Sequence, residues 1–336
     1  MGADFEDDPL LGPAAFVFQT PLGAKKTRIR SSRGGIRLSG AQIGRIARRR
    51  PEVMVKVTGS ARGFRGLKEH LAYITRNGKL AGERENGERI EGTTEVRNLA
   101  EEWWADGVGR RKSTRDTINL ILSMPPGTDP QAVAEAARAF AQKTFSGDYD
   151  YLLAHHNHDT DPKRPENPHA HLTIKTRGRQ GQSLNPRKAD LQAWREGFAV
   201  ELRVRGVIAE ATPRRTRGVV RKGQRQAIRH MDSRQATRVT KWKLVQAVKT
   251  ASTGSDGSAE PWAKAAKDRQ RKVRRAWNTL AAAFEQAGQP KLAREIKQFV
   301  SAMPSPQTER EHLIGLATEL LAKQKQQQVK DRGRSR

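Results

Sequence analysis

Residues 151–175 read YLLAHHNHDTDPKRPENPHAHLTIK, and the two ends of this stretch decide the fold. Tyr151-Leu152-Leu153-Ala154 and Leu172-Thr173-Ile174-Lys175 are short runs of apolar, aromatic and β-branched residues, separated by a polar, proline-broken loop over 157–168. Runs of this kind bounded by Pro and Asp predict two strands joined as a hairpin. Five of the chain's eight histidines, His155, His156, His158, His169 and His171, fall inside it. Alternate residues of a strand share a face, so both imidazoles of His169-Ala170-His171 project to one side while Ala170 and Leu172 point to the other. A third imidazole from the neighbouring strand completes a three-nitrogen metal site with positions left open for substrate oxygens. His156, at the end of the apolar strand, is the first choice for that ligand and His158 the alternative. Asp159 or Asp161 would accept the hydrogen bond that orients a ligating ring.

With no cysteine in the chain, any metal must be held by His, Asp or Glu. Two blander readings compete. The histidines would simply touch phosphate, or they would close a structural zinc site, although such sites fill all four positions and often use Cys.

Working outward, Val53-Met54-Val55-Lys56-Val57 and Thr117-Ile118-Asn119-Leu120-Ile121-Leu122 predict two further strands. Phe64, Leu67, Leu71 and Ile74 recur at spacings of three and four, the stripe of an amphipathic helix over 64–75 that Asn77-Gly78 ends. Helices are predicted over 94–105, from Asp129-Pro130 to Phe145, and from Leu191 to Arg205. The segment 78–92, with four glycines and seven charged residues, reads as a mobile loop. The fold class is therefore α+β, a mostly antiparallel sheet with helices covering one face as a two-layer sandwich, spanning 51–210. Residues 1–50 read as a basic irregular arm, 211–260 as a basic linker, and 261–336 as a small helical module with a disordered tail.

The formal net charge of +28, from 64 Lys and Arg against 36 Asp and Glu, calls for a polyanionic partner. Nucleic acid is favoured over a membrane, because no apolar run approaches the ~18–20 residues that span a bilayer, so no membrane insertion is expected. Asp4, Glu6, Asp7 and Asp8 stand where a secretory signal would be positive, which makes the cytoplasm the expected compartment. Between 211 and 250 twelve Lys and Arg face one acid, Asp232. Arg214, Arg215, Arg217, Arg221 and Lys222 in that tract, with Arg76 and Lys79, are the candidate phosphate contacts.

Of three tyrosines, Tyr149 and Tyr151 read as strand-start residues, whereas Tyr73 lies between the helical stripe and the Arg76-Asn77-Gly78-Lys79 turn. The stretch from Glu69 to Leu80 resembles the first motif of relaxases, mobilization nucleases of the His-hydrophobic-His superfamily. The stretch from Ala154 through Asn167-Pro168-His169-Ala170-His171 to Lys175 is similar to their metal-binding third motif, and Leu122-Ser123-Met124-Pro125-Pro126-Gly127 also resembles this group. The resemblance covers about 53–210 and implies that Tyr73 is the nucleophile, with Asp159 counted beside it in the catalytic set. It further implies a divalent metal, Mg²⁺ or Mn²⁺ with other transition metals admissible, on His169, His171 and His156 or His158. The expected partners are single-stranded DNA at a transfer origin and accessory DNA-binding and coupling proteins. The expected activity is strand nicking and transfer through a 5′-phosphotyrosine. The same residues would serve a rolling-circle replication initiator or a single-strand transposase, and a non-catalytic nucleic-acid binder with a structural metal is the reading from another class.

Overall fold

The computed structural model describes residues 40–107, 115–157, 167–214, 216–218, 228, 231, 233–234, 238–254 and 262–334. They divide into two compact units, Arg49–Thr212 and a second built from the chain up to Arg48 together with Pro213–Arg336.

The first unit is an α+β fold around a six-stranded, wholly antiparallel sheet. Its strands are β1 (Met54–Gly59), β2 (Gly82–Arg84), β3 (Arg89–Ile90), β4 (Thr117–Ser123), β5 (Tyr151–His156) and β6 (His169–Lys175), in the spatial order β1-β4-β6-β5-β2-β3. The expected hairpin is present, with β5 and β6 paired from Tyr151↔Ile174 to His156↔His169. Its register puts Tyr151, Leu153, Ala170, Leu172 and Ile174 on one face, with Ile118, Leu120 and Leu122 of β4 beside them. That face is sealed by α4 (Pro130–Phe145) and α5 (Lys188–Val204), which contribute Val133, Phe140, Phe145, Trp194, Phe198 and Leu202 to one core. Pro130 opens α4 where its missing N–H costs nothing, and the Asp129 carboxylate accepts from the Gln131 N–H as a cap.

The expected antiparallel sheet with helices packed on it is present, and the opposite face is covered as well rather than left open. It carries α2 (Gly63–Ile74) and α3 (Gly92–Ala105), and Leu67, Leu71, Ile74, Leu99 and Trp103 pack with Leu152 and Ala154 of β5. The segment 78–92 is not a free loop but holds the β2–β3 hairpin, which widens the sheet beyond β5 and adds Ile90 to the same cluster. Gly82 permits that pairing, since a Cβ there would come 2.8 Å from Leu152 Cδ1. Arg84 and Arg138 pin the hairpin through Glu102 at 2.6 Å and Glu83 at 2.7 Å.

The second unit is helical. Here α1 (Gly40–Ala47) buries Ile43 and Ile46 among Val273, Trp277, Leu280 and Phe284 of α7 (Ala263–Gln286) and Ile296 and Phe299 of α8 (Pro290–Ser301). The arm predicted over 1–50 is therefore helical from Gly40, because two isoleucines find an apolar face elsewhere in the chain. The segment expected as a basic linker contains α6 (Arg238–Thr253), and α9 (Glu309–Arg334) belongs to the stretch expected as a helical module. Arg214 is exposed and Arg217 partly buried in this unit, while Arg215, Arg221 and Lys222 lie outside the described residues. Among the described residues no helix is long and apolar enough to cross a membrane.

Candidate active site

The sheet face under α2 is apolar at Leu152 and Ala154 and turns polar toward the ends of β5 and β6. His156 stands directly opposite His169, and His171 stands opposite Ala154 on one side and Ile121 of β4 on the other. Residues directly opposite in an antiparallel pair share a face, so three imidazoles meet there. Their ring centroids are 4.7 to 5.2 Å apart. All three side chains are buried, and their ligand nitrogens lie within 4.8 Å of one another. The return of the chain into β6 is fixed at Asn167-Pro168, where the Asn167 side-chain amide donates to the Met124 carbonyl at 3.1 Å and the Met124 N–H donates to the Pro168 carbonyl at 3.2 Å.

The hydrogen bonds determine which nitrogen each ring offers. His169 Nδ1 lies 2.8 Å from the Asn167 carbonyl, so it carries the proton and leaves Nε2 as a lone pair. His156 Nε2 lies 2.6 Å from the Ile74 carbonyl and donates to it, while Nδ1 accepts from an Arg76 guanidinium nitrogen at 3.2 Å. His171 Nε2 is buried with no hydrogen-bond partner among the described residues. A buried nitrogen of this kind beside two rings oriented by backbone carbonyls is the pattern of metal-ligating histidines. The donor set therefore fits a divalent cation on His156, His169 and His171. Burial, reinforced by His156, His169, His70 and Arg76, holds the His171 pKa down to about 2, so the ring is neutral and ready to ligate at neutral pH.

Tyr73 reaches this cluster from the last turn of α2. Leu67, Leu71 and Ile74 anchor the helix, leaving Tyr73 on the flank at 41% exposure. Its ring meets the His171 ring edge-on at 5.9 Å between centroids, and the Arg76 guanidinium lies 5.5 Å from its centre. His70, one turn earlier, lies alongside Tyr73 at 6.1 Å, and burial pushes its pKa down to about 4. The helix stops abruptly behind Tyr73. Thr75 is fully buried with its hydroxyl on the Leu71 carbonyl at 2.8 Å, and Arg76, Asn77 and Gly78 follow with positive φ. Only glycine fits the third position, since a Cβ on Gly78 would fall on the Gly92 backbone, whose N–H donates to the Gly78 carbonyl at 2.9 Å.

The structure thus brings together Tyr73, Arg76, His156, His169 and His171. His155 lies on the opposite sheet face, across from Ala170. Lys79 is exposed just beyond the turn. His158, Asp159 and Asp161 lie outside the described residues. The sequence reading missed His70, although its place three residues before Tyr73 on one helix makes the two neighbours. It also missed the backbone carbonyls of Ile74 and Asn167, which no side-chain pattern reveals.

Residues 73–200 match the family model described as Relaxase: MobA/VirD2-like, nuclease domain. A curated relative, the T-DNA border endonuclease VirD2 of Rhizobium radiobacter, is 28% identical over 193 residues, covering 51% of this chain and 44% of its own length. The chain thus spans less than half of that relative. A solved structure described as the molecular basis of vancomycin resistance transfer in Staphylococcus aureus aligns with 49% of this chain and 99% of its own, at 17% identity and a TM-score of 0.32.

Proposed function

We propose that this chain, whose residues 73–200 match the model of a MobA/VirD2-like relaxase nuclease domain, nicks one DNA strand with Tyr73 and carries that strand on a 5′-phosphotyrosine during mobilization of a DNA element. The observation that carries this reading is the edge-on approach of the Tyr73 ring to His171, itself one of three buried imidazoles.

His156, His169 and His171 would hold a divalent cation, which supplies Lewis-acid chemistry by neutralising the non-bridging oxygens of the scissile phosphate. Three imidazoles favour Mn²⁺, Co²⁺, Ni²⁺ or Zn²⁺ over Mg²⁺ as the ion. The Tyr73 oxygen forms the new bond to phosphorus as the bond to the 3′ oxygen breaks. The phenolic proton is released and the departing oxygen takes one up, leaving a free 3′-OH. Phosphate stays esterified throughout, so a later 3′-OH can displace Tyr73 and rejoin the strand. Lys79, Arg214, Arg215, Arg217, Arg221 and Lys222 hold backbone phosphates away from the chemistry. Accessory DNA-binding and coupling proteins bring the transfer origin to the site.

The test incubates the full chain and its Tyr73→Phe variant with labelled single-stranded DNA containing the element's own transfer origin, with Mn²⁺ or with EDTA. The wild type should form a covalent adduct that EDTA suppresses, and the variant should form none. An undiminished adduct in Tyr73→Phe would transfer the nucleophile to another residue. Binding without any cut in either protein would leave a nucleic-acid binder.

A further inference from the structure

Arg76 points its positive charge at the nitrogen that the metal site needs. Its guanidinium has only donors, so the 3.2 Å contact uses the lone pair of His156 Nδ1. The other nitrogen of that ring is committed to the Ile74 carbonyl at 2.6 Å. Of the two ring nitrogens, Nδ1 is therefore the one left for a cation, and Arg76 sits on it. The arrangement is built in, since Arg76 follows the buried Thr75 in a turn with φ of 53°, and the guanidinium also lies 5.5 Å from the Tyr73 ring centre.

We infer that Arg76 is a cation gate: it occupies the metal position on His156 in the DNA-free enzyme and leaves when a DNA phosphate draws it away, so that metal and strand load together. This rests on the three-histidine metal site proposed above. A guanidinium and a divalent ion cannot share one lone pair, and their like charges repel at such range. A phosphate offers the guanidinium a better partner, because two parallel N–H···O bonds to an anion exceed a single bond to a neutral imidazole. Once Arg76 turns to phosphate, Nδ1 is released at the moment the substrate arrives. Linkage then requires reciprocity, with DNA tightening metal binding by the same factor as metal tightens DNA binding. The device would keep an unloaded nuclease from holding a reactive ion beside Tyr73.

The experiment titrates Mn²⁺ into the full chain, following the free-ion signal by electron paramagnetic resonance, with and without a mixed-sequence single-stranded oligonucleotide. Arg76→Asn is the first variant because Asn tolerates the left-handed backbone, with Arg76→Gly as the second because that conformation costs it nothing. His169→Ala defines binding outside the site. In the wild type the oligonucleotide should tighten the His169-dependent Mn²⁺ site by about tenfold or more. Both variants should bind Mn²⁺ more tightly than the wild type without DNA, by about tenfold, and gain little more when DNA is added. Equal or weaker Mn²⁺ binding in both variants overturns the gate while leaving the metal site standing. Loss of any His169-dependent binding in all three proteins overturns the metal site and the gate with it.

Discussion

At the scale of single residues, burial sets the chemistry. His171, His70 and His155 are pushed from the ordinary 6.5 to about 2, about 4 and about 4, in each case chiefly by burial. A histidine whose folded pKa is depressed contributes stability above its unfolded pKa, and that stability is lost as the pH falls toward the folded value. The urea midpoint of the chain should therefore drop between pH 6.5 and about 4, and His70→Gln should flatten part of that slope. An unchanged slope in the variant would mean that His70 is not held neutral in the fold. His171→Ala should abolish cutting yet retain most DNA affinity in a filter-binding measurement, because affinity is spread over many cations. The paired imidazoles were legible in the sequence from strand alternation alone. The spacing left His156 and His158 open, and the register that sets His156 opposite His169 is what groups it with the pair.

At the scale of elements, α2 is the part that aims Tyr73. Leu67 and Leu71 are fully buried, so Leu71→Ala should cost ~2–5 kcal/mol in chemical denaturation and lower cutting at temperatures where the fold persists. Gly78→Ala should cost at least ~1–3 kcal/mol, both from its positive φ of 77° and from the overlap with Gly92. A variant as stable as the wild type would mean that the turn behind Tyr73 adapts. The helical stripes and the β5–β6 hairpin were readable because they repeat over many residues. The β2–β3 hairpin was not, because strands of three and two residues show no alternation and their glycines look like loop punctuation. Missing that hairpin also hid part of the apolar surface on that face, where Ile90 of β3 joins Leu152 and Ala154 against α2 and α3.

At the scale of the whole molecule, the helical unit is discontinuous in sequence. Ile43 and Ile46 are buried among residues more than two hundred positions later, and a two-residue apolar signal beside Arg48-Arg49-Arg50 reads as a basic arm. A fragment of residues 1–212 should consequently expose those isoleucines and aggregate, whereas 49–212 should stay monomeric in light scattering. The net charge of +28 predicts a steep fall of single-strand affinity with salt, and the 49–212 fragment should show a shallower slope because it lacks the basic tract beyond 212. On the proposed function, all of this serves one event, the joining of a phenolic oxygen to a phosphorus atom beside three imidazoles. The most direct measurement is mass spectrometry of the peptides from the wild-type protein–DNA adduct formed with Mn²⁺. A nucleotide mass on the peptide containing Tyr73, with fragment ions that put it on that ring, is the predicted result; the same mass on Tyr149, Tyr151 or a serine would contradict the account.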